Sequence, residues 1–178
     1  MTTKEAIKKQ FLELYKNEDF AKISVKELCA STPVARTTFY SYYNNTDDVR
    51  LEIENELIDG IMAITSGSKS GSLPEEEMLP LLTDIQNYIK NNWSSFYAFL
   101  VTQPSQRFIN NWKDCIKLNF KNRYPEKQRI KNYDLIAEMV ASATVGAYAY
   151  WMQNPEKVST EDIKKLICKA LESLAAIL

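Results

Sequence analysis

The segment from Ser24 to Tyr43 constrains the fold of this 178-residue chain more than any other stretch. Ser24 followed three residues later by Glu27 is a capping-box pattern, which marks the start of a short helix. A Ser-Thr-Pro turn at residues 31–33 separates this helix from a second one over residues 34–43. Two short helices joined by a tight turn form a helix-turn-helix motif.

The second helix of this motif has hydrogen-bonding side chains on its predicted outer face. The residues on that face are Arg36, Thr37, Thr38, Tyr40, Ser41 and Tyr42. Side chains of this kind suit a helix that lies in a DNA major groove, where base edges and phosphates need donors and acceptors within reach. We predict that Arg36, Thr37 and Thr38 contact base edges or neighbouring phosphates, with Ser41 and Tyr42 as further candidates.

Four aromatic residues fall within five positions of the same helix, at 39, 40, 42 and 43. Aromatic residues at helical spacing usually form a core, but a helix this short cannot bury all four. We expect Val34 and Phe39 to face inward, together with Leu28 and Cys29. Tyr40 and Tyr42 are expected to face outward, because a tyrosine hydroxyl can lie at a wet interface.

The sequence from Val34 to Val49 resembles the signature of the TetR/AcrR family of transcriptional regulators, which reads approximately V-S-x-G-T-F-Y-x-Y-F-x-S-K-E-x-L. The resemblance is most specific in the Thr-Phe-Tyr core and its flanking aromatic residues. It implies an all-α fold of about nine helices, with a three-helix DNA-binding head and a larger helical body for ligand binding and dimerisation. It also implies that Tyr40 contacts a DNA phosphate and that Tyr43 belongs to the core.

The function that the resemblance implies is a transcriptional repressor, which binds a palindromic operator as a homodimer and responds to a small-molecule effector. Three residues depart from the family pattern. Thr37 and Pro33 each replace a glycine, and Thr46 replaces a lysine that contacts phosphate in relatives. Helix N-termini at Ser24 and Thr46 could bind phosphate without a lysine.

The apolar periodicity of the remaining chain predicts four regions. Residues 1–45 form the helix-turn-helix DNA-binding domain, and a long amphipathic helix at 46–65 connects it to the body. Residues 66–73 are rich in Gly and Ser, a composition typical of a flexible linker. Residues 74–178 form the helical regulatory and dimerisation domain.

The body contains aromatic residues that could line an effector pocket. This predicted set is Trp93, Tyr97, Phe108, Trp112, Tyr148 and Trp151. Aromatic residues at helical spacing are more often core than pocket, so a purely structural role is the alternative. The residues do not specify a ligand chemistry, and a protein partner is an alternative source of the signal.

The last two predicted helices have the side chains that a dimer interface requires, with small residues on one and a wide aliphatic face on the other. The predicted interface residues are Ala143, Ala147, Ile163, Ile167, Leu171 and Leu174. Two such helices from each chain would form a four-helix bundle. The alternative is that these faces pack within one chain.

The composition excludes several classes of function. The chain has no histidine, so it cannot contain a Ser-His-Asp triad or a histidine-bound metal. Its three cysteines are far apart and fit no metal-binding spacing, and we predict no cofactor, no metal and no enzymatic activity. We expect these cysteines to be reduced thiols, as is usual in the cytosol. The sequence also shows no signal peptide and no membrane-spanning run, so we predict a cytoplasmic protein that does not enter the membrane.

Net charge does not decide whether the chain binds DNA. The whole chain has a formal charge of −1, and residues 1–50 have eight basic and seven acidic side chains. Any electrostatic attraction to DNA is therefore small and local. An all-helical protein-interaction module that does not bind DNA remains the alternative.

Overall fold

The computed structural model describes residues 1–66 and 75–176, without the side chains of residues 75–77, 174 and 175. Nine α-helices run through these residues, and no strand occurs among them. The predicted all-α fold is confirmed, with a small helical head that precedes a larger helical body. Apart from Ser66, the predicted linker at 66–73 lies outside the described residues.

The head consists of three α-helices and one 3₁₀ turn. A capping box starts the first helix, because Thr2 accepts the backbone N–H of Glu5 and the Glu5 carboxylate accepts the backbone N–H of Thr2. Ile7 and Phe11 on this helix are buried against the helices that follow. The elements are α1 (Thr3–Asn17), the 3₁₀ turn (Phe20–Lys22), α2 (Val25–Ala30) and α3 (Arg36–Tyr40).

Helix α4 (Thr46–Thr65) packs against α1 of the head and against helices of the body. Its 20 residues span about 30 Å, which is long enough to contact both parts. Asn45 is its N-cap and accepts the backbone N–H of Asp48 at 2.9 Å. Thr46 is therefore the first helical residue and not the cap.

The body consists of five further α-helices. A π-helical segment at Ala98–Thr102 continues α6, and a 3₁₀ turn at Pro125–Arg129 follows α7. Asn132 adopts a left-handed conformation with φ 68°, and α8 begins directly after it. The helices are α5 (Glu75–Asn91), α6 (Trp93–Tyr97), α7 (Gln106–Arg123), α8 (Tyr133–Gln153) and α9 (Thr160–Ala175).

A continuous core joins the head and the body, since buried residues of α1 to α4 belong to the same cluster as those of α5 to α9. Near its centre Trp112 stacks on Tyr148 with 5.5 Å between ring centroids, and Phe96 packs edge-on against Trp112 at 5.3 Å. Among residues 1–66 and 75–176, no helix has the length and apolarity needed to cross a membrane.

Candidate nucleic-acid interface and ligand cavity

Helices α2 and α3 form the predicted helix-turn-helix. Ser24 caps α2, because its hydroxyl accepts the backbone N–H of Glu27 at 3.2 Å. In the turn, the hydroxyl of Thr32 donates to the carbonyl oxygen of Leu28 at 3.1 Å. These bonds satisfy backbone groups at both ends of α2 and fix the direction in which the chain enters α3.

Buried side chains attach α3 to the rest of the head. Phe39 is fully buried and packs against Tyr43, with 5.7 Å between ring centroids. Val34 and Leu28 are buried in the same cluster, as the sequence predicted. Burial raises the pKa of the Tyr43 phenol, which agrees with a position in the core. These contacts fix which face of α3 is exposed.

The exposed surface of α3 and the turn after it contains every residue predicted for it. The exposed residues are Arg36, Thr37, Thr38, Tyr40, Ser41 and Tyr42. Tyr40 is 57% exposed and Tyr42 46%, so the two tyrosines that were expected to face outward do so. The hydroxyl of Ser41 donates to the Thr38 carbonyl oxygen at 2.7 Å, so its proton is already bonded to the backbone of α3.

The two residues predicted at helix N-termini differ in their surroundings. Ser24 is exposed at the start of α2. Thr46 is half-buried, and its hydroxyl donates to the carbonyl oxygen of Ile23 at 3.2 Å. Its side chain therefore joins α4 to the segment before α2, and the exposed cap of α4 is Asn45.

The cations near α3 differ in their partners. Lys4 and Lys8 on α1 pair with Glu52 and Glu56 on α4, at 2.8 Å and 2.6 Å respectively. By contrast, the exposed side chain of Arg36 forms no ion pair within the described part of the chain, and neither do Lys22 and Lys26. These three cations can bind phosphate without breaking a salt bridge.

The polar residues at the junction between head and body were not predicted from the sequence. The buried carboxylate of Glu54 on α4 accepts hydrogen bonds from Ser105 Oγ and Arg107 Nε, both at 2.8 Å. The sequence contained a signal for this site, since Glu54 precedes Ile58 and Ile61 at helical spacing and so falls on the buried face of α4.

Gln103 forms a second junction, between α1 and the turn before α7. Its side-chain oxygen accepts the backbone N–H of Phe20 at 2.9 Å, and its amide nitrogen donates to the carbonyl oxygen of Glu18 at 2.6 Å. The Tyr15 hydroxyl donates back to the Gln103 carbonyl oxygen at 3.0 Å. No local sequence pattern marks a glutamine for this role, because its partners are more than 80 residues away.

A cavity of about 110 Å³ lies in the body between α4, α5, α7, α8 and α9. Of the six aromatic residues predicted for an effector pocket, the structure places Trp112 and Tyr148 in its lining. Trp93, Tyr97, Phe108 and Trp151 are absent from this lining, and Phe108 and Trp151 are buried in the core. Most of the wall is apolar, including Ile61, Leu82 and Val140.

The predicted dimer-interface residues do not share one exposed face. Ile163 and Ile167 are only 3% and 4% exposed, because they pack into the core of their own chain. Ala143 is exposed, whereas Ala147 and Leu171 are half-buried. The side chain of Leu174 lies outside the described residues.

A different apolar face is exposed on the last two helices. Leu135 and Met139 are followed at helical spacing by Ala143, Gly146 and Tyr150 on α8, all of them exposed. Leu166, which is 64% exposed, and Ala170 continue this face on α9. Sequence periodicity did not distinguish the two faces of α9, since Leu166 and Ile167 are neighbours in the chain.

Comparisons with known proteins agree with this architecture. A TetR family model for the C-terminal region of transcriptional regulators matches residues 76–173, which is more than half of the chain. No curated protein sequence matches the chain.

Solved structures give the same result for the fold. A TetR-family regulator from Syntrophomonas wolfei aligns with a TM-score of 0.73 at 12% identity, over 97% of this chain and 94% of the other. The fatty acid degradation regulator FadR from Bacillus halodurans aligns with a TM-score of 0.65 at 13% identity, over 98% of this chain and 95% of the other. The dihydroxyacetone kinase operon activator DhaS aligns with a TM-score of 0.61 at 17% identity, over 98% of this chain and 94% of the other.

The family match and the observed all-helical architecture agree with the resemblance first seen around Phe39. Proteins of this family regulate transcription and are not enzymes. This chain belongs to the TetR family of transcriptional regulators.

Proposed function

We propose that this protein is a sequence-specific repressor, which binds a palindromic DNA operator as a homodimer through α3 and is released by a small molecule bound in its body. One observation supports DNA binding above all others. A helix fixed by the buried Phe39 and the turn after it present six exposed residues, and all six side chains can form hydrogen bonds. This combination of a rigid attachment and a polar outer face is what major-groove readout requires.

We assign roles on this face by side-chain chemistry. Thr38, Thr37 and Arg36 are the proposed contacts to base edges or adjacent phosphates at the start of α3. The exposed phenol of Tyr40 can donate a hydrogen bond to a phosphate oxygen, which would position the head without reading sequence. Tyr42 is proposed as a second phosphate contact.

Ser24 and Ser41 complete the proposed contact set. Both lie on the exposed surface of the motif, Ser24 at the start of α2 and Ser41 directly after α3. The half-buried position of Thr46 argues for a smaller role, and we propose that Asn45 takes the place of the family lysine at the exposed start of α4.

The small size of one head supports a homodimer, because a single head reaches only a few base pairs. Two heads related by a two-fold axis read two half-sites, about one helical turn or a multiple of it apart. We propose that the exposed apolar face of α8 and α9, which includes Met139, Gly146 and Leu166, forms the interface. Small residues on this face let the helices of two chains approach closely.

Signal transfer is proposed to run through α4. Ile61 and Thr65 near the end of α4 line the cavity, while the start of the same helix packs into the head. A molecule that displaces the end of α4 would therefore change the position of the head. Because α4 also pairs with Arg107 through Glu54, its movement is coupled to α7.

The test is binding to fluorescently labelled DNA from the region upstream of the protein's own gene, against a scrambled duplex, between about 50 and 200 mM salt. We expect a dissociation constant of about 10⁻⁸ M for the specific duplex and at least about 10³-fold weaker binding to the scrambled one. Weak binding to both duplexes without salt dependence would contradict the proposal and favour a protein-interaction module.

A further inference from the structure

The wall of the cavity in the body includes a buried tyrosine hydroxyl. Tyr148 lines the cavity and is 1% exposed, and its hydroxyl has no hydrogen-bond partner among the described residues. A buried hydroxyl without a partner is unfavourable, so such groups usually indicate a bound molecule or water.

Three other polar side chains of the lining differ from Tyr148, because they are bonded within the protein. The hydroxyl of Thr65 donates to the Ile61 carbonyl oxygen and accepts from the Asn119 side chain. Asn119 also donates to the carbonyl oxygen of Cys115, and Thr144 donates to that of Val140. Tyr148 thus differs from these three residues, because its hydroxyl remains available to a ligand.

The size and surface of the cavity restrict what can occupy it. Its volume of about 110 Å³ is below the 300–1,000 Å³ or so of drug-sized pockets. An apolar protein cavity of about 150 Å³ is known to bind benzene. A compact ring therefore fits this space with a small expansion, whereas a long chain or a polycyclic molecule does not.

We propose that the effector is a compact, uncharged and mainly apolar molecule of about the size of a substituted benzene, with one hydrogen-bond acceptor that binds the hydroxyl of Tyr148. This inference rests on the proposed function, in which a ligand in this cavity controls the head. The acceptor is uncharged because Tyr148 stacks on Trp112 in a mainly apolar lining, where an anion would lose its hydration. Arg123, which also lines the cavity, makes an anionic ligand the specific alternative to test.

The test uses three probes that share a benzene ring: benzonitrile with an uncharged acceptor, toluene without one, and benzoate with a negative charge. Binding to the full chain is measured by calorimetry in the absence of DNA. The stretching frequency of the nitrile additionally reports whether its nitrogen accepts a hydrogen bond. Because no DNA is present, a failure of this inference is distinguishable from a failure of the DNA-binding proposal.

Two matched variants locate the contact. Tyr148→Phe removes the hydroxyl that lines the cavity, whereas Tyr133→Phe removes a buried and similarly unpartnered hydroxyl that is absent from its lining. Both substitutions keep the ring that packs in the core, so both variants are expected to fold. Thermal unfolding of the ligand-free proteins checks this expectation.

We expect the wild type and Tyr133→Phe to bind benzonitrile about fivefold or more tightly than toluene, a ratio typical of one hydrogen bond. In Tyr148→Phe the ratio should fall to about one, and the nitrile frequency should return to its value in an apolar solvent. Equal binding of benzonitrile and toluene by the wild type, or no binding of either, would overturn the proposal. Tighter binding of benzoate would overturn the uncharged class and point to Arg123.

Discussion

The carboxylate of Glu54 and the guanidinium of Arg107 form a salt bridge, with 2.8 Å between Oε2 and Nε, that joins the connector helix α4 to the start of α7. Glu54 is completely buried, and Ser105 Oγ donates a second hydrogen bond to its other oxygen. Arg50 lies one turn earlier on α4, 3.9 Å from the same carboxylate. A buried carboxylate is unfavourable without its ionic and hydrogen-bonding partners. Loss of these partners should therefore destabilise the junction between head and body.

The first prediction concerns this junction. Replacing Arg107 by Ala leaves the buried carboxylate without its main counter-ion, and we expect the free energy of unfolding to fall by about 2–3 kcal/mol. Urea denaturation measures the change. Arg129→Ala, which alters an exposed arginine in the body, should stay within about 0.5 kcal/mol of the wild type. Equal stability of the two variants would show that the salt bridge contributes nothing.

The second prediction concerns the contact between α4 and α5 at Gly60. A Cβ atom at this position would overlap the ring of Tyr88, whose hydroxyl donates to the Glu56 carbonyl oxygen at 3.0 Å. Gly60→Ala must therefore displace the ring. We expect the free energy of unfolding to fall by about 1–2 kcal/mol despite the better helix propensity of alanine.

A double-mutant cycle separates the clash at Gly60 from other effects. In a Tyr88→Ala background the ring is absent, so Gly60→Ala should become neutral or stabilising by up to about 1 kcal/mol. Thermal or urea unfolding of the four proteins provides the cycle. The same loss in both backgrounds would mean that Tyr88 is not the obstacle.

The third prediction concerns the proposed dimer interface. Among the described side chains of α9, Leu166 is the most exposed large apolar one, and Leu166→Glu would place two charges in an apolar seam. We expect the mass measured by light scattering to change from that of a dimer to that of a monomer. Leu118→Glu, which alters a 46% exposed leucine on α7, should remain dimeric. A wild type that is monomeric at micromolar concentration would contradict the interface itself.

The fourth prediction separates sequence readout from general DNA affinity. Thr38→Val removes one hydroxyl from the exposed start of α3 and keeps the shape of the side chain. If Thr38 contacts a base edge, the variant should bind the specific duplex about tenfold more weakly and the scrambled duplex as tightly as the wild type does. Fluorescence anisotropy with both duplexes measures the two affinities. Equal losses would indicate a phosphate contact at this position.

The local features of the head were predictable from the sequence because neighbouring residues determine them. The cap at Ser24, the buried positions of Leu28 and Phe39 and the exposed positions of Tyr40 and Tyr42 all follow from spacing within one or two helical turns. The cap of α4 is Asn45 and not Thr46, and spacing alone does not choose between two adjacent residues that can both cap a helix.

The features that depend on packing between distant helices were not predictable in this way. Periodicity indicates that Ile163 and Ile167 are buried, but it does not tell whether the same chain or a second chain covers them. Likewise, aromatic composition does not determine which rings surround a cavity. Trp112 lines the cavity and Phe108, four residues earlier, does not, because the position of each ring depends on how α4, α5 and α8 pack around α7.

The central claim, that α3 binds DNA, is tested most directly by comparing the DNA affinities of Tyr40→Phe and Tyr43→Phe. Each variant loses one phenolic hydroxyl from the same head, exposed in Tyr40 and buried in Tyr43. We predict that Tyr40→Phe binds both the specific and the scrambled duplex about tenfold more weakly, because a hydrogen bond to phosphate is lost, and that Tyr43→Phe binds like the wild type. Wild-type affinity in Tyr40→Phe, or equal losses in the two variants, would contradict the claim.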